Sequence, residues 1–185
     1  LEVSKDILHS QKPKNDKFIT IGYFSGAMSH NKDFAVAFSS LVRIMKKYPI
    51  VKLFLGGPLI IGPEFDEFSD RIDQMPYVPR DENFFNISRV DINIAPLEMG
   101  NPFCEAKSEL KFFEAGILGV PTVAVRNQTF SEAITDGIDG FLADNTAEWV
   151  EKSGKLINDE NLRKEMGEKA REKVLRDYTN KNSHD

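Results

Sequence analysis

Two short stretches of this 185-residue chain place cations, glycines and an acid at spacings that could hold an anion. In the first, Gly22-Tyr23-Phe24-Ser25-Gly26 leads through Ala27-Met28-Ser29 to His30, Asn31, Lys32 and Asp33. Glycines let backbone N–H groups approach a phosphate, and a helix start beside them presents unpaired donors with a partial positive charge. In the second, Lys107 precedes Ser108, Glu109, Leu110, Lys111 and Glu114 in a run of helical character. Lys107 and Lys111 are four residues apart, as are Leu110 and Glu114, so each pair shares a side of a helix. Lys107 falls at the positive end of that helix, where an anionic group would bind. The plainer readings stand beside these: a tight turn with an Asn31 or Asp33 helix cap, and an exposed helix face whose charges pair along it.

Other chemistries find less support. The spacing from Gly22 to Gly26 does not meet the six-position dinucleotide fingerprint, and Leu55 is followed by Gly56-Gly57 where a ribose-binding acid would stand. No Ser-His-Asp arrangement is evident, and Cys104 has no histidine partner in sequence, which favours a small packing role. Histidines at 9, 30 and 184 are too scattered for a metal site, so no metal is expected.

The elements that must position these residues alternate in type. Lys17 to Phe24 is a β-branched and aromatic strand, and Phe34, Phe38, Leu41, Met45 and Tyr48 mark one face of a following helix. Val51 to Leu55 reads as a second strand closed by Gly56-Gly57-Pro58. A short helix is expected around Phe65 to Ile72, and Met75 to Val78 supplies a brief third strand. Asp81 caps a short helix through Ser88, and Val90 to Ala95 forms the next strand. Ser108 caps the lysine-bearing helix, with Leu110, Phe113, Ile117 and Phe112 toward the core, and Thr122 to Val125 follows as a strand. A turn region, the turn Gly137 to Gly140 and a Phe141-Leu142 strand come next. Two helices, Thr146 to Ile157 and Glu160 to about Tyr178, complete the pattern, with Trp149 in the core. Continuous apolar strands alternating with helices specify an α/β fold, a Rossmann-like parallel sheet covered on both faces.

Composition sets the class. An apolar content of 41% in one domain-sized chain supports a sizeable core. With 24 Lys and Arg against 29 Asp and Glu, the formal charge of −5 lacks the basic footprint of a nucleic-acid binder. No apolar run approaches the roughly 18 to 20 residues of a spanning helix, so no transmembrane segment is expected. A single cysteine fits a reducing compartment, and a cytoplasmic location is expected, with peripheral membrane attachment left open for a longer protein. Residues 1 to 16, polar through Lys12-Pro13-Lys14-Asn15-Asp16 and without an initiating Met, read as a linker or the tail of a preceding domain. Residues 17 to 178 read as the folded domain and 179 to 185 as a polar tail.

The stretch from Pro96 to Val125, PLEMGNPFCEAKSELKFFEAGILGVPTVAV, resembles the donor-binding segment of family 4 retaining glycosyltransferases, with its Ala-Lys-Ser, Glu-Ala and Gly-Val-Pro steps in the same order. The loop holding Gly26, His30 and Asp33 is similar to the family's first loop, although the arginine many members carry there is absent and Lys32 is the only nearby cation. The resemblance implies one half of a two-domain GT-B enzyme whose missing N-terminal domain contributes to acceptor recognition. It implies a nucleotide-diphosphate sugar as donor substrate, no separate cofactor, a glycan or other small acceptor, and a role in polysaccharide or glycan biosynthesis. The diphosphate would lie between the first loop and the helix start; Gly26, His30, Ser108, Glu109, Leu110 and Lys111 are expected among the donor-binding residues, with His30 hydrogen-bonding on the donor or acceptor side. Lys107, with Lys32 or Lys111 assisting, would stabilise the leaving group, and Glu114 matches the acid that accepts hydrogen bonds from the ribose. The family's earlier, sugar-contacting glutamate corresponds to Ala106 here; Glu105 stands one residue before it as a substitute. The rival reading is a non-catalytic nucleotide-binding or regulatory module of the same fold, and a dehydrogenase-type cofactor domain ranks below both.

Overall fold

The computed structural model describes residues 17–26, 31–100 and 109–181. Its elements in chain order are β1 (Ile19–Phe24), α1 (Asn31–Ala35), α2 (Phe38–Lys47), β2 (Val51–Gly56), a 3-10 segment (Pro63–Arg71), β3 (Ile72–Met75), α3 (Arg80–Ser88), β4 (Ile92–Ala95), α4 (Leu110–Ile117), β5 (Thr122–Val125), α5 (Gln128–Ala133), β6 (Phe141–Ala143), α6 (Thr146–Asn158) and α7 (Glu160–Lys181). The six strands form one sheet in the order β3-β2-β1-β4-β5-β6. Every neighbouring pair is parallel, with Ile21 opposite both Leu53 and Ile92 and Asn93 opposite Thr122. This is the doubly wound order whose direction of winding reverses between β1 and β4, which opens a crevice at the carboxyl ends of those two strands.

Both faces are covered because successive residues of each strand point to opposite sides. Tyr23, Leu53 and Leu55 enter the main core with Leu41, Ile44 and Met45 of α2 and Trp149 and Leu156 of α6. Their neighbours Phe24 and Phe54 face the other way, against Ile87 of α3 and Ala115 of α4. Helix α7 closes over α4, and glycine is required where they meet: a Cβ at Gly167 would stand 1.9 Å from the Gly119 carbonyl oxygen. Arg71 fastens the β2 side by donating to the carbonyls of Met45 (2.9 Å) and Val51 (2.9 Å), which satisfies the end of α2.

Several boundaries differ from the expectations above, each for a local reason. The aromatic stripe from Phe34 to Tyr48 belongs to two helices. The chain tightens at Val36 and Ala37, whose N–H groups bond three residues back to Asp33 and Phe34, and this keeps Phe34 buried while Phe38 packs edge-on against it at 5.2 Å. The third strand is Ile72–Met75, in register with Leu53 to Gly56, and it ends before Pro76, which has no N–H to offer the ladder. Helix α3 starts at Arg80 after Pro79, so Asp81 lies within its first turn and caps nothing. Strand β4 starts at Ile92; Val90 donates its N–H to Ile87 and Asp91 accepts from the Thr20 N–H at 2.8 Å. The turn region after β5 contains helix α5, whose first turn is capped by the Asn127 side chain accepting from Phe130 N–H at 2.8 Å. Helix α7 continues past Tyr178 to Lys181. Among the described residues no helix is long and apolar enough to cross a membrane.

Candidate functional site

The loops that leave β1, β2, β3 and β4 converge with α4 on a cavity of about 410 Å³. Backbone bonds continue the sheet into its rim: Ser25 N–H donates to the Gly56 carbonyl at 2.7 Å and Gly57 N–H to the Met75 carbonyl at 2.9 Å. Gly57 has φ +102°, and a Cβ there would lie 2.1 Å from the Ser25 carbonyl oxygen, so only glycine lets these two loops lie together. Asn31 and Asp33 serve the same end. Asn31 Oδ1 accepts from Ile60 N–H at 2.8 Å, and the buried Asp33 carboxylate accepts from Glu98 N–H at 3.0 Å, tying α1 to the loops after β2 and β4.

Helix α4 forms the wall opposite the β1 loop. Phe112 is its core residue, with Ala115 and Gly116, whereas Phe113 and Ile117 are partly buried and Leu110 is 47% exposed at the cavity edge. Phe112, Phe113 and Ile117 pack on the main core as expected, and Leu110 alone departs from the expected apolar face. Ala115 and Gly116 turn inward because Val174 of α7 packs so closely on Gly116 that a Cβ there would stand 2.9 Å from it. The start of the helix is fixed from below by Asn93, a buried polar side chain in mid-strand, which donates through Nδ2 to the Lys111 carbonyl at 3.2 Å and to Thr122 Oγ1 at 3.1 Å. Lys111 is held at its other end too. Its ammonium donates to the Phe24 carbonyl and lies 4.4 Å from the centroid of the Tyr23 ring. Tyr23 is stacked on Phe34 at 4.7 Å, and burial, then the charge of Asp33, push its hydroxyl far above the usual tyrosine range.

Glu114 follows Lys111 by one turn and lines the cavity, half-buried. Burial pushes its carboxyl above the ordinary glutamate value; the positive charge of Arg80, then that of Lys111, pull it down without cancelling that effect. Arg80 and Asn83 of α3 and Pro76, Tyr77 and Val78 of the preceding loop complete that wall. Of the residues expected from sequence, Gly26, Leu110, Lys111 and Glu114 meet at this one cavity. Glu109 flanks the start of α4 and Lys32 is exposed on α1; neither lines the cavity. His30, Glu105, Lys107 and Ser108 lie outside the described residues. Sequence reasoning missed Arg80, Asn83 and Asn93. Arg80 left one faint signal, a cation in the first turn of a helix where an acid is favoured. Among the described residues no cluster of three or more His, Cys, Asp or Glu side chains could hold a metal ion.

This arrangement sets an acid, Glu114, beside the cations Arg80 and Lys111 at one cavity. A family model described as "Glycosyl transferase-like" matches residues 41–184. Solved structures agree in fold. The C-terminal domain of the glycosyl transferase group 1 family protein LpcC from Francisella tularensis superposes with a TM-score of 0.66 at 19% identity, covering 86% of each chain. A TarM variant of S. aureus, in complex with fondaparinux, alpha-GlcNAc-glycerol and UDP, gives 0.75 at 19% identity over 95% of this chain and 36% of its own. HepE of Anabaena, in complex with UDP and glucose, gives 0.67 at 16% identity over 91% of this chain and 49% of its own. The chain thus spans most of the LpcC domain but only about a third of TarM and half of HepE. No curated protein matches it. Its sheet is that of the Rossmann-like C-terminal half of GT-B glycosyltransferases, and the chain belongs to the glycosyl transferase-like family.

Proposed function

We propose that this domain binds the nucleotide-diphosphate sugar donor of a retaining glycosyltransferase that builds a polysaccharide or other glycan, together with an N-terminal domain that contributes to acceptor recognition. One observation carries the reading: in a chain of this family, the loop after β1 and the first two turns of α4 bring Gly26, Leu110, Lys111 and Glu114 to a single cavity at the switch point of the sheet. The relatives crystallised with UDP share this fold and lend it support.

In this reading Glu114 accepts hydrogen bonds from the ribose hydroxyls, and the diphosphate lies toward Gly26 and the residues before Leu110. Transfer breaks the bond from the anomeric carbon to a diphosphate oxygen. The acceptor oxygen bonds to that carbon on the same face, and its proton passes to the departing diphosphate. Negative charge grows on the leaving group, so preorganised cations accelerate the step by stabilising the transition state more than the bound donor. Lys107 is assigned that role, with Lys32 as the second cation. Lys111, committed to the Phe24 carbonyl, contributes its charge from the side and holds α4 against β1. His30, Ser108 and Glu109 are assigned to the donor, and Glu105 to the sugar. The domain works in a cytoplasmic setting, at the membrane surface where its acceptor is membrane-bound.

The test is a calorimetric panel of UDP-, GDP-, dTDP- and ADP-sugars against the chain, with Glu114→Ala and Lys107→Ala beside it. At least one donor should bind, and Glu114→Ala should weaken it. A panel without heat or thermal shift overturns donor binding. Full-length protein that keeps its transfer rate after Lys107→Ala does not use Lys107 to stabilise the leaving group, and full-length protein that binds the donor without transferring its sugar is a nucleotide-binding module.

A further inference from the structure

The cavity contains one cation that the donor reading leaves without a task. Arg80 opens α3, the positive end of a helix that begins after Pro79 and has no side-chain cap, so the macrodipole disfavours a guanidinium at this position. Its guanidinium forms no hydrogen bond or ion pair with the described residues and rests 5.7 Å from the centroid of the Phe84 ring. It nevertheless lines the cavity, in the same electrostatic neighbourhood as Glu114. The side chain is exposed where it lines the cavity, so in the free protein water satisfies its donors and a ligand that displaces this water can take them.

The position of Arg80 along the cavity says which part of that ligand it meets. Taking the donor reading as given, the diphosphate lies at the end of β1 and the ribose at Glu114. β3 lies two strands from β1, about 10 Å across the sheet, which is comparable to the length of a nucleoside. Tyr77, 64% exposed, and Val78 follow directly on β3, while Arg80 and Asn83 stand on α3, which packs against α4 and β1, so these four line the cavity next to Glu114 on the side toward β3. An aromatic and an aliphatic side chain offer a face to a flat ring, and Arg80 and Asn83 offer polar groups to its edge. Guanidinium is a fork of donors with no acceptor. It pairs with O6 and N7 of guanine or with O4 of uracil, and it meets a competing donor at the amino group of adenine or cytosine. We infer that Arg80 is the specificity-determining residue of this site and selects a nucleoside diphosphate whose base presents a keto edge, uracil or guanine.

Titrating UDP, GDP, CDP and ADP into the wild-type chain, Arg80→Ala and Arg80→Lys tests this. UDP or GDP should bind the wild type at least about tenfold more tightly than CDP and ADP. Arg80→Ala should remove that ratio by weakening the preferred nucleotide while CDP and ADP are unchanged, and the stronger of the first two arms identifies the base. Lysine keeps the charge without the fork, so Arg80→Lys should restore little of the preference for GDP and more of that for UDP. The ratio is the decisive quantity, because a guanidinium acting only as a positive charge near the diphosphate or Glu114 affects all four ligands alike. An equal loss for all four, or a wild type that does not discriminate, overturns the inference and leaves the donor reading intact. Absence of binding by any of the four overturns the donor reading, and the inference with it.

Discussion

Two charged regions of the sheet treat their charges differently. Around β5 and β6 every charge is spent internally. Asp136 accepts from Leu142 N–H at 2.9 Å, from Arg126 at 2.6 Å and from Lys152 at 3.2 Å; Arg126 reaches on to Asp144 at 3.0 Å. Asp139, nearly buried, accepts from Thr135 N–H at 2.8 Å and from Lys173 at 3.0 Å. Although burial pushes the Asp136 carboxyl up, the bonds from Leu142, Arg126 and Lys152 together hold it below the usual carboxylate range. In the crevice over β1 and β4, Lys111 and Asp33 are bonded internally but two charges are not. Glu114 and Arg80 make no hydrogen bond within the described residues, and burial leaves the Glu114 carboxyl raised. Paired charges brace a corner; the half-buried Glu114 and the exposed Arg80 at a switch point are what a ligand would complete.

The contrast breaks most sharply on the two acids. A ribose that gives two hydrogen bonds to an ionised carboxylate gains about 1.5–3 kcal/mol from each. Glu114→Ala should therefore weaken nucleotide binding by about a hundredfold or more in a calorimetric titration, with little change in melting temperature. Binding within a few-fold of wild type would end the equivalence of Glu114 with a ribose acid. Asp136→Ala should do the opposite. Counting Leu142 N–H and the well-shielded Lys152, and discounting the more exposed Arg126, the loss of stability in urea unfolding should be about 1–2 kcal/mol. Nucleotide affinity should remain unchanged; a parallel loss of binding would mean that the two regions are coupled.

Acid sharpens the same comparison with a smaller effect. Only ionised Glu114 can accept two hydroxyl protons, and its pKa in the free protein is raised, so affinity should begin to fall at a higher pH than an ordinary glutamate would cause. A few-fold loss over the first pH unit of that decline, about 0.5–1 kcal/mol, is expected, and it should be absent in Glu114→Gln. A profile that is flat down to the ordinary glutamate range would place Glu114 outside the binding step.

What the sequence made legible follows from where the information resides. The order of strands and helices and the turn at Gly137 to Gly140 could be read because apolar runs and turn residues are local signals. β3 was misplaced since Ile72-Asp73-Gln74-Met75 is an edge strand with mostly exposed side chains and shows no apolar run. Helix α5 is only six residues long and announces itself through Asn127 alone, a cap signal open to anyone who looks for it. At the site, Glu114 and Gly26 were visible through their motifs. The anchoring of α4 by Asn93, the engagement of Lys111 with Phe24 and the approach of Arg80 to Glu114 span separations of 18, 87 and 34 residues, and no spacing rule reaches across these. Leu110 lies at the cavity edge and not in the core because Val174 of α7, far along the chain, packs on the Gly116 side of α4.

The smallest effect tests the premise that the crevice keeps a cost which the braced corner does not. In the unfolded chain Glu114 is fully hydrated, and in the folded domain its pKa is raised, so the native state binds the proton more tightly. Stability is then undiminished below the unfolded-state pKa, falls as pH rises between the unfolded and folded values, and is reduced by the full amount above the folded one. Glu114→Gln removes the ionisation and keeps the shape. Its melting temperature should exceed that of wild type at neutral pH, and the difference should shrink to nothing as pH is lowered through the folded-state value toward the ordinary one. The attraction of Arg80 and Lys111 for the carboxylate is already contained in the raised pKa, so losing it does not reverse the sign. Thermal melts of both proteins across that range decide the matter: a variant less stable at neutral pH, or a difference that ignores pH, would show that Glu114 is satisfied in the free protein. The crevice would then be built like the corner beside it.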